Sequence, residues 1–514
     1  MGWGFGTGCV VCEAARDAGR PRDPVRRRVI GAAAGLPLMG AAGLARAQGG
    51  SGPDGAPPQG RYAVRAGWAL TEAADGAAEL LRDASVIVEG DRIEAVREGG
   101  PGSGMPVVEA PGALLLPGLI SGHTHACSAT PTRGIIEGGR SFARPLELVE
   151  ELSDGELDAL TAYNVAELLL SGCTGHVEMS LSLRQAESYA RVARRWGVRG
   201  WVGGMVPGIG RLFPIWFRAD DAALTESEAG TLEEIAANLA FSRRLAGDPL
   251  LVPMMAPHAA DTQTPATLEA LAAAAAELGT GIHIHLAQGA REVEAVRRMW
   301  GTTPARWLAD HGLMDGPFFG AHMSALDFEA DGPLLRERGA VYAHCPSAGG
   351  AGGGTQPYPE ALAAGVATSI GIDTHSNDMV ENLKLAVLYG QARASLAGGG
   401  RAPTILDAVE GATRVAADGL GRPDLGRIRP GAKADLVAID VSGWLVGGGA
   451  LPPEPLHNLL YAGGAMVRHV ATDGAWQVWN GRLVVDDPDA VARAGGDAVR
   501  AIWERLAAEG WFEA

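Results

Sequence analysis

Residues 117–125 read Pro-Gly-Leu-Ile-Ser-Gly-His123-Thr-His125, an apolar run that ends in two histidines one residue apart. Side chains at i and i+2 of a strand share a face, so His123 and His125 can meet one ion from a single strand end. Working outward, apolar runs recur at 114–120, 174–179, 198–206, 251–257, 281–286, 318–323, 340–345 and 367–372. Between them lie Ala/Leu/Glu-rich helical stretches, at 154–171, 184–196, 231–246, 265–279, 327–338 and 380–397. Such alternation builds βα units around a parallel sheet. Eight units favour a closed (β/α)8 barrel of the α/β class over an open doubly wound sheet. No glycine-rich dinucleotide fingerprint follows any of the runs, which also weighs against the open sheet.

Barrel chemistry sits at the carboxyl ends of the strands. His123 and His125 end the first run, His283-Ile-His285 the fifth, His322 the sixth and Asp373 the eighth. Imidazoles plus one carboxylate, with a position left for water, suit a catalytic Zn²⁺ or Fe²⁺. His283 points deeper and reads as part of the packed barrel interior.

Both flanks of the barrel carry strand texture. Residues 61–116 alternate short β-rich runs with Gly and Asp turns, and 426–485 returns to the same pattern before a terminal helix at 495–509. The two flanks, 61–116 and 426–514, are expected to pair as one composite β-sandwich domain beside a barrel over 117–425. Residues 48–60, rich in Gly, Pro and Gln, read as a flexible linker. Ahead of it, Arg26-Arg27-Arg28 precedes an Ala/Gly-rich apolar stretch and Ala45-Arg46-Ala47. That pattern resembles a twin-arginine export leader over 1–47 and predicts a periplasmic or extracellular mature chain. Pro37 and several glycines argue against a lasting membrane anchor.

Composition excludes other classes. The chain has 514 residues, 47% hydrophobic and 20% charged, with a net charge of −17. So acidic a surface argues against nucleic acid as partner. The five cysteines are too scattered for a disulfide scaffold, and Cys9-Val-Val-Cys12 lacks a second pair to close a zinc knuckle. A small-molecule substrate is the expected partner, in a homo-oligomer.

The motifs together resemble the amidohydrolase superfamily, in its cytosine-deaminase and triazine-hydrolase branch. The resemblance rests on residues 117–125, His285, Gly320-Ala-His322, His344-Cys-Pro346, Gly371-Ile-Asp373, the segment Leu425–Leu436 and Asp473–Val485, and it spans about 61–490. It implies a barrel, a divalent metal and hydrolysis, usually at carbon–nitrogen bonds of small heterocycles. Carried over by position, His123, His125, His285 and Asp373 match the metal ligands, with Asp373 also taking the water's proton. His322 matches the substrate-polarising histidine, and His258 either a substrate contact or a core histidine. Some members hold two metals bridged by a modified lysine. The only lysines here are Lys384, past the last strand, and Lys433, in the terminal flank, so one ion, zinc or alternatively iron, is expected.

The departures matter as much. Where the branch has His-x-x-Glu, this chain reads His285-Leu-Ala-Gln288. Glutamine hydrogen-bonds but cannot titrate, so it orients substrate without donating a proton. Either the reaction needs no such proton, or another acid such as Glu292 replaces it, or the protein binds a small molecule without turnover. His375 in Asp373-Thr-His375-Ser either contacts substrate or faces solvent. Phe213 and Trp216, in an aromatic insertion at 206–220, either cover the pocket or meet another subunit. His176-Val-Glu178 imitates half of the small nucleobase-deaminase motif, but no Pro-Cys-x-x-Cys follows it.

Overall fold

The computed structural model describes residues 55–140, 142–208, 221–397 and 399–513. The proposed leader, together with Phe213 and Trp216, lies outside them. Strands β1 (Arg61–Glu72), β2 (Ala78–Glu89), β3 (Arg92–Glu98) and β4 (Val107–Pro117) form the first half of one sheet. The barrel strands follow as β5 (Leu119–Thr124), β6 (Cys173–Ser180), β7 (Arg199–Val206), β8 (Leu251–Pro253), β9 (Ala256–Pro257), β10 (Ile282–Leu286), β11 (Phe318–His322), β12 (Val341–His344) and β13 (Ala367–Ile370). The chain then returns through β14 (Leu436–Asp440), β15 (Val467–Thr472), β16 (Ala475–Trp479) and β17 (Arg482–Leu483).

The flanks join as the sequence predicts. The outer sheet runs β17-β16-β15-β14-β4-β1-β2-β3, so β4 pairs with β14 from the far end of the chain. It is one continuous sheet folded over a shared core, with the Trp476 ring 5.3 Å from that of Tyr62. The apolar run in β4 serves two cores. Ala113 and Leu115 face the sheet's own interior, while Leu114 and Leu116 face the barrel. Burial on both faces explains why this end of β4, parallel to β1 and antiparallel to β14, is continuously apolar rather than alternating.

The barrel strands are parallel, and two sets of bonds close the ring. Ile372 and Asp373 both donate backbone N–H to the His123 carbonyl, at 3.0 and 3.1 Å. On the other side, bridges join Met255 to Ile282 and Ala259 to His285.

Two expected strands are interrupted. The run 114–120 splits at Gly118, where the Thr174 side chain fills the space a Cβ would need, and β4 and β5 go to different sheets. The run 251–257 splits after Pro253, which has no N–H to continue the ladder. The terminal helix, Pro488–Ala508, begins earlier than expected because Asp487 caps it and Pro488 opens it. Its Gly495 lies against Tyr163, on the barrel helix Asp154–Leu170.

At the amino-terminal end of the barrel, the side chain of Arg199 is 2% exposed. It pairs with Asp435 through two bonds, of 2.7 and 3.1 Å, and with Asp473. Lys433 extends the network to Asp91 and Asp473. Among the described residues, no helix is long and apolar enough to cross a membrane.

Candidate metal centre

Five side chains from four strand ends converge at the opposite mouth of the barrel. His123 and His125 come from β5 and the residue beyond it, His285 from β10, His322 from the end of β11 and Asp373 from just past β13. Donor atoms of His123, His125 and His285 lie within 4.8 Å of one another, as do those of His123, His322 and Asp373. All five residues are buried. Asp373 Oδ1 stands 3.4 Å from His125 Nε2 and 3.8 Å from His123 Nε2, while Oδ2 is 3.8 Å from His322 Nε2.

Hydrogen bonds behind the rings decide which nitrogens face inward with lone pairs. His125 Nδ1 donates to the Met179 carbonyl at 2.5 Å, and His285 Nδ1 to the His258 carbonyl at 2.7 Å. A carbonyl only accepts, so both Nε2 atoms are unprotonated and free to coordinate. His123 Nδ1 pairs with His283 Nε2 at 2.7 Å, and His123 Nε2 is buried without a hydrogen bond. A buried nitrogen without a partner suits a cation. His283, expected in the barrel interior, is there and also supports a candidate ligand.

Electrostatics agree. Burial pushes His123, His125 and His285 below their ordinary range, and His322 down to about 4, so all are neutral at pH 7. Burial would raise Asp373, but the imidazoles of His322, His125 and His375 hold it lower.

The remaining candidates surround this cluster. The His258 ring is 5.4 Å from that of His285 and is half-buried. Gln288 follows β10, and its backbone N–H donates to Glu292 Oε2 at 2.8 Å. Glu292 is no stand-in acid reaching for substrate. Its Oε1 accepts from Ala287 N–H, also at 2.8 Å, so both oxygens cap the loop. His375 is buried rather than solvated, with Nδ1 3.0 Å from Glu137 Oε1.

Two supporting groups were not read from the sequence as part of the site. Glu178, dismissed with its motif, is buried and pushed up to about 8 by burial. It accepts from Ala126 N–H, beside His125, at 3.0 Å. Gln356 bridges His344 and His322 from the loop after β12. Neither lies at a spacing that marks a ligand.

Comparison with known proteins follows the same lines. The amidohydrolase family model matches residues 114–475. A 5-methylthioadenosine/S-adenosylhomocysteine deaminase of Symbiobacterium thermophilum is 32% identical over 71% of this chain and 82% of its own. That of Natronomonas pharaonis is 29% identical over 84% and 94%. Among solved structures, a zinc-bound adenosine deaminase from Xanthomonas campestris superposes with a TM-score of 0.72 at 24% identity, covering 87% of this chain and all of that one. Zinc-complexed atrazine chlorohydrolase from Arthrobacter aurescens gives 0.71 at 20%, over 85% of this chain and all of its own.

Proposed function

Because the chain belongs to the amidohydrolase family, we propose that this cluster is the catalytic centre of a single-zinc, deaminase-like hydrolase acting on a small heterocyclic molecule. The observation that carries the proposal is the convergence of His123, His125, His285 and Asp373 from three separate strand ends, with the Nε2 lone pairs of His125 and His285 left for an ion. These four would hold the ion, which when bound supplies Lewis acidity and acidifies water. Asp373 accepts the proton of the attacking water. His322 hydrogen-bonds the substrate atom on which charge develops. Gln288 orients the substrate by hydrogen bonding, His258 and His375 contact it at the rim, and Phe213 and Trp216 lie in an insertion suited to shaping the pocket.

The relatives' named substrates carry an exocyclic amine on a purine, which supports an aminated heterocycle here. Gln288 cannot protonate a ring nitrogen, so the reading favours substrates that need no such proton, including amide-like or other carbon–heteroatom bonds. The arginine-led segment over 1–47 supports export of the mature chain.

The test is metal analysis with single-turnover assays over aminated purines and triazines, cyclic ureas and cyclic amides. One bound ion per chain and product from at least one class are expected, with turnover falling about 10²–10⁴-fold in Asp373→Asn, the usual worth of a general base. Gln288→Glu should raise deamination of ring-nitrogen substrates. Tight binding of a ligand without any product would replace the hydrolase with a binding protein.

A further inference from the structure

Gln356 is 5% exposed. The Cys345 backbone N–H lies 2.9 Å from its Oε1, with His344 Nδ1 at 3.0 Å and the Tyr342 hydroxyl at 3.3 Å. A backbone N–H can only donate, so this side of the amide is the oxygen. The nitrogen is therefore the other end, 3.3 Å from His322 Nδ1. An amide nitrogen offers hydrogens and no lone pair, so His322 Nδ1 must accept. In a neutral imidazole the single proton then sits on Nε2, the atom facing Asp373 Oδ2 at 3.8 Å.

This is the reverse of His125 and His285. Their Nδ1 atoms donate to carbonyls, which leaves Nε2 as a lone pair. These three buried histidines share one cavity mouth, yet their outer partners sort them into two ligands and a donor.

We propose that Gln356 is a positioning residue that fixes His322 as an Nε2–H donor, keeping it off the metal and aimed at the substrate. The consequence for catalysis rests on the hydrolase reading above, whereas the tautomer does not. With Gln288 unable to supply a proton, His322 becomes a donor that the hydrogen-bond network holds in place. A carboxylate at position 356 would accept from Nδ1, move the proton there and turn Nε2 into an additional nitrogen ligand.

The full-length protein, labelled with ¹⁵N-histidine, tests this by two-bond proton–nitrogen correlation of the imidazoles, with His322→Asn identifying the signal. Wild type should show His322 protonated at Nε2, both metal-free and with zinc added. Gln356→Glu should move the proton to Nδ1 and tighten zinc binding by about tenfold or more, one additional ligand bond being worth at least 1.4 kcal/mol. Gln356→Met, which keeps volume but loses the N–H, should give a mixture of tautomers. An Nδ1-protonated His322 in wild type, or a tautomer unmoved by either variant, would overturn the proposal. Absence of turnover in a wild type with the expected tautomer would overturn the hydrolase reading and leave the positioning role standing.

Discussion

Four non-glycine residues at the strand ends sit in the left-handed region: Ala287 at φ 45°, His322 at 73°, Met323 at 44° and Asp373 at 58°. Each costs on the order of 1–3 kcal/mol, and they lie where β10, β11 and β13 end at the metal centre. Glu292 helps offset one of them, since it caps Ala287 and Gln288 from below. Replacing Glu292 with Ala strands the buried N–H of Ala287, at about 1–3 kcal/mol, and the part-buried N–H of Gln288 at less. Its urea midpoint should drop accordingly, and Glu292→Gln should retain part of the stability because one oxygen remains. Burial and the Asp261 charge both push the Glu292 carboxyl up, so the neutral amide is a fair mimic. At this scale the ligands were legible, because strand-end histidines at i and i+2 carry their own geometry. Gln356, Glu178 and Glu292 were not, since each acts on a backbone or ring brought near it only by the fold.

Elements were legible where periodicity was long. Helices with a side-chain cap and a glycine stop match their expected spans closely, as at Leu183–Trp196 between Ser182 and Gly197. Breaks at Gly118 and Pro253 were missed because an apolar run reads as one strand whichever sheet it joins. β15 carries a prediction of its own. His469 is buried, flanked by Trp476 and Trp479, and accepts from Asn480 N–H at 3.4 Å. Burial, and then Arg468, lowers it to about 4 from an ordinary 6.5. Above pH 6.5 neither the folded nor the unfolded chain protonates it. Between 6.5 and 4 only the unfolded chain does, so its stabilising share is lost as pH falls through that window. His469→Met should therefore gain on wild type as pH drops from 7 to 4.5, read as the difference in denaturant midpoint. A constant difference would show that burial does not depress this histidine.

The barrel and its composite flank were both visible in the whole chain, because eight βα repeats lay between two stretches of turn-rich strand. Strand order in the outer sheet was not, since its pairing depends on contacts hundreds of residues apart. The two parts are pinned by Arg199, whose guanidinium serves carboxylates from Asp435 and Asp473. Removing one member of a buried ion group strands the others, at about 3–5 kcal/mol. Arg199→Met should lower the melting temperature by that equivalent, while metal content at 25 °C is retained if the barrel stays folded.

The placement of β4 in mid-sheet carries one more implication. Its backbone is satisfied on one side by β1 and on the other by β14, which the chain supplies some three hundred residues later. A nascent or truncated chain lacking that last contribution would present a row of bare amides and carbonyls beside Leu114 and Leu116. Such a row invites pairing with other molecules. Fragments ending before Leu436 should therefore clump in the test tube, whatever the state of their histidines, and surgery on this protein is safer in its loops than at its tail.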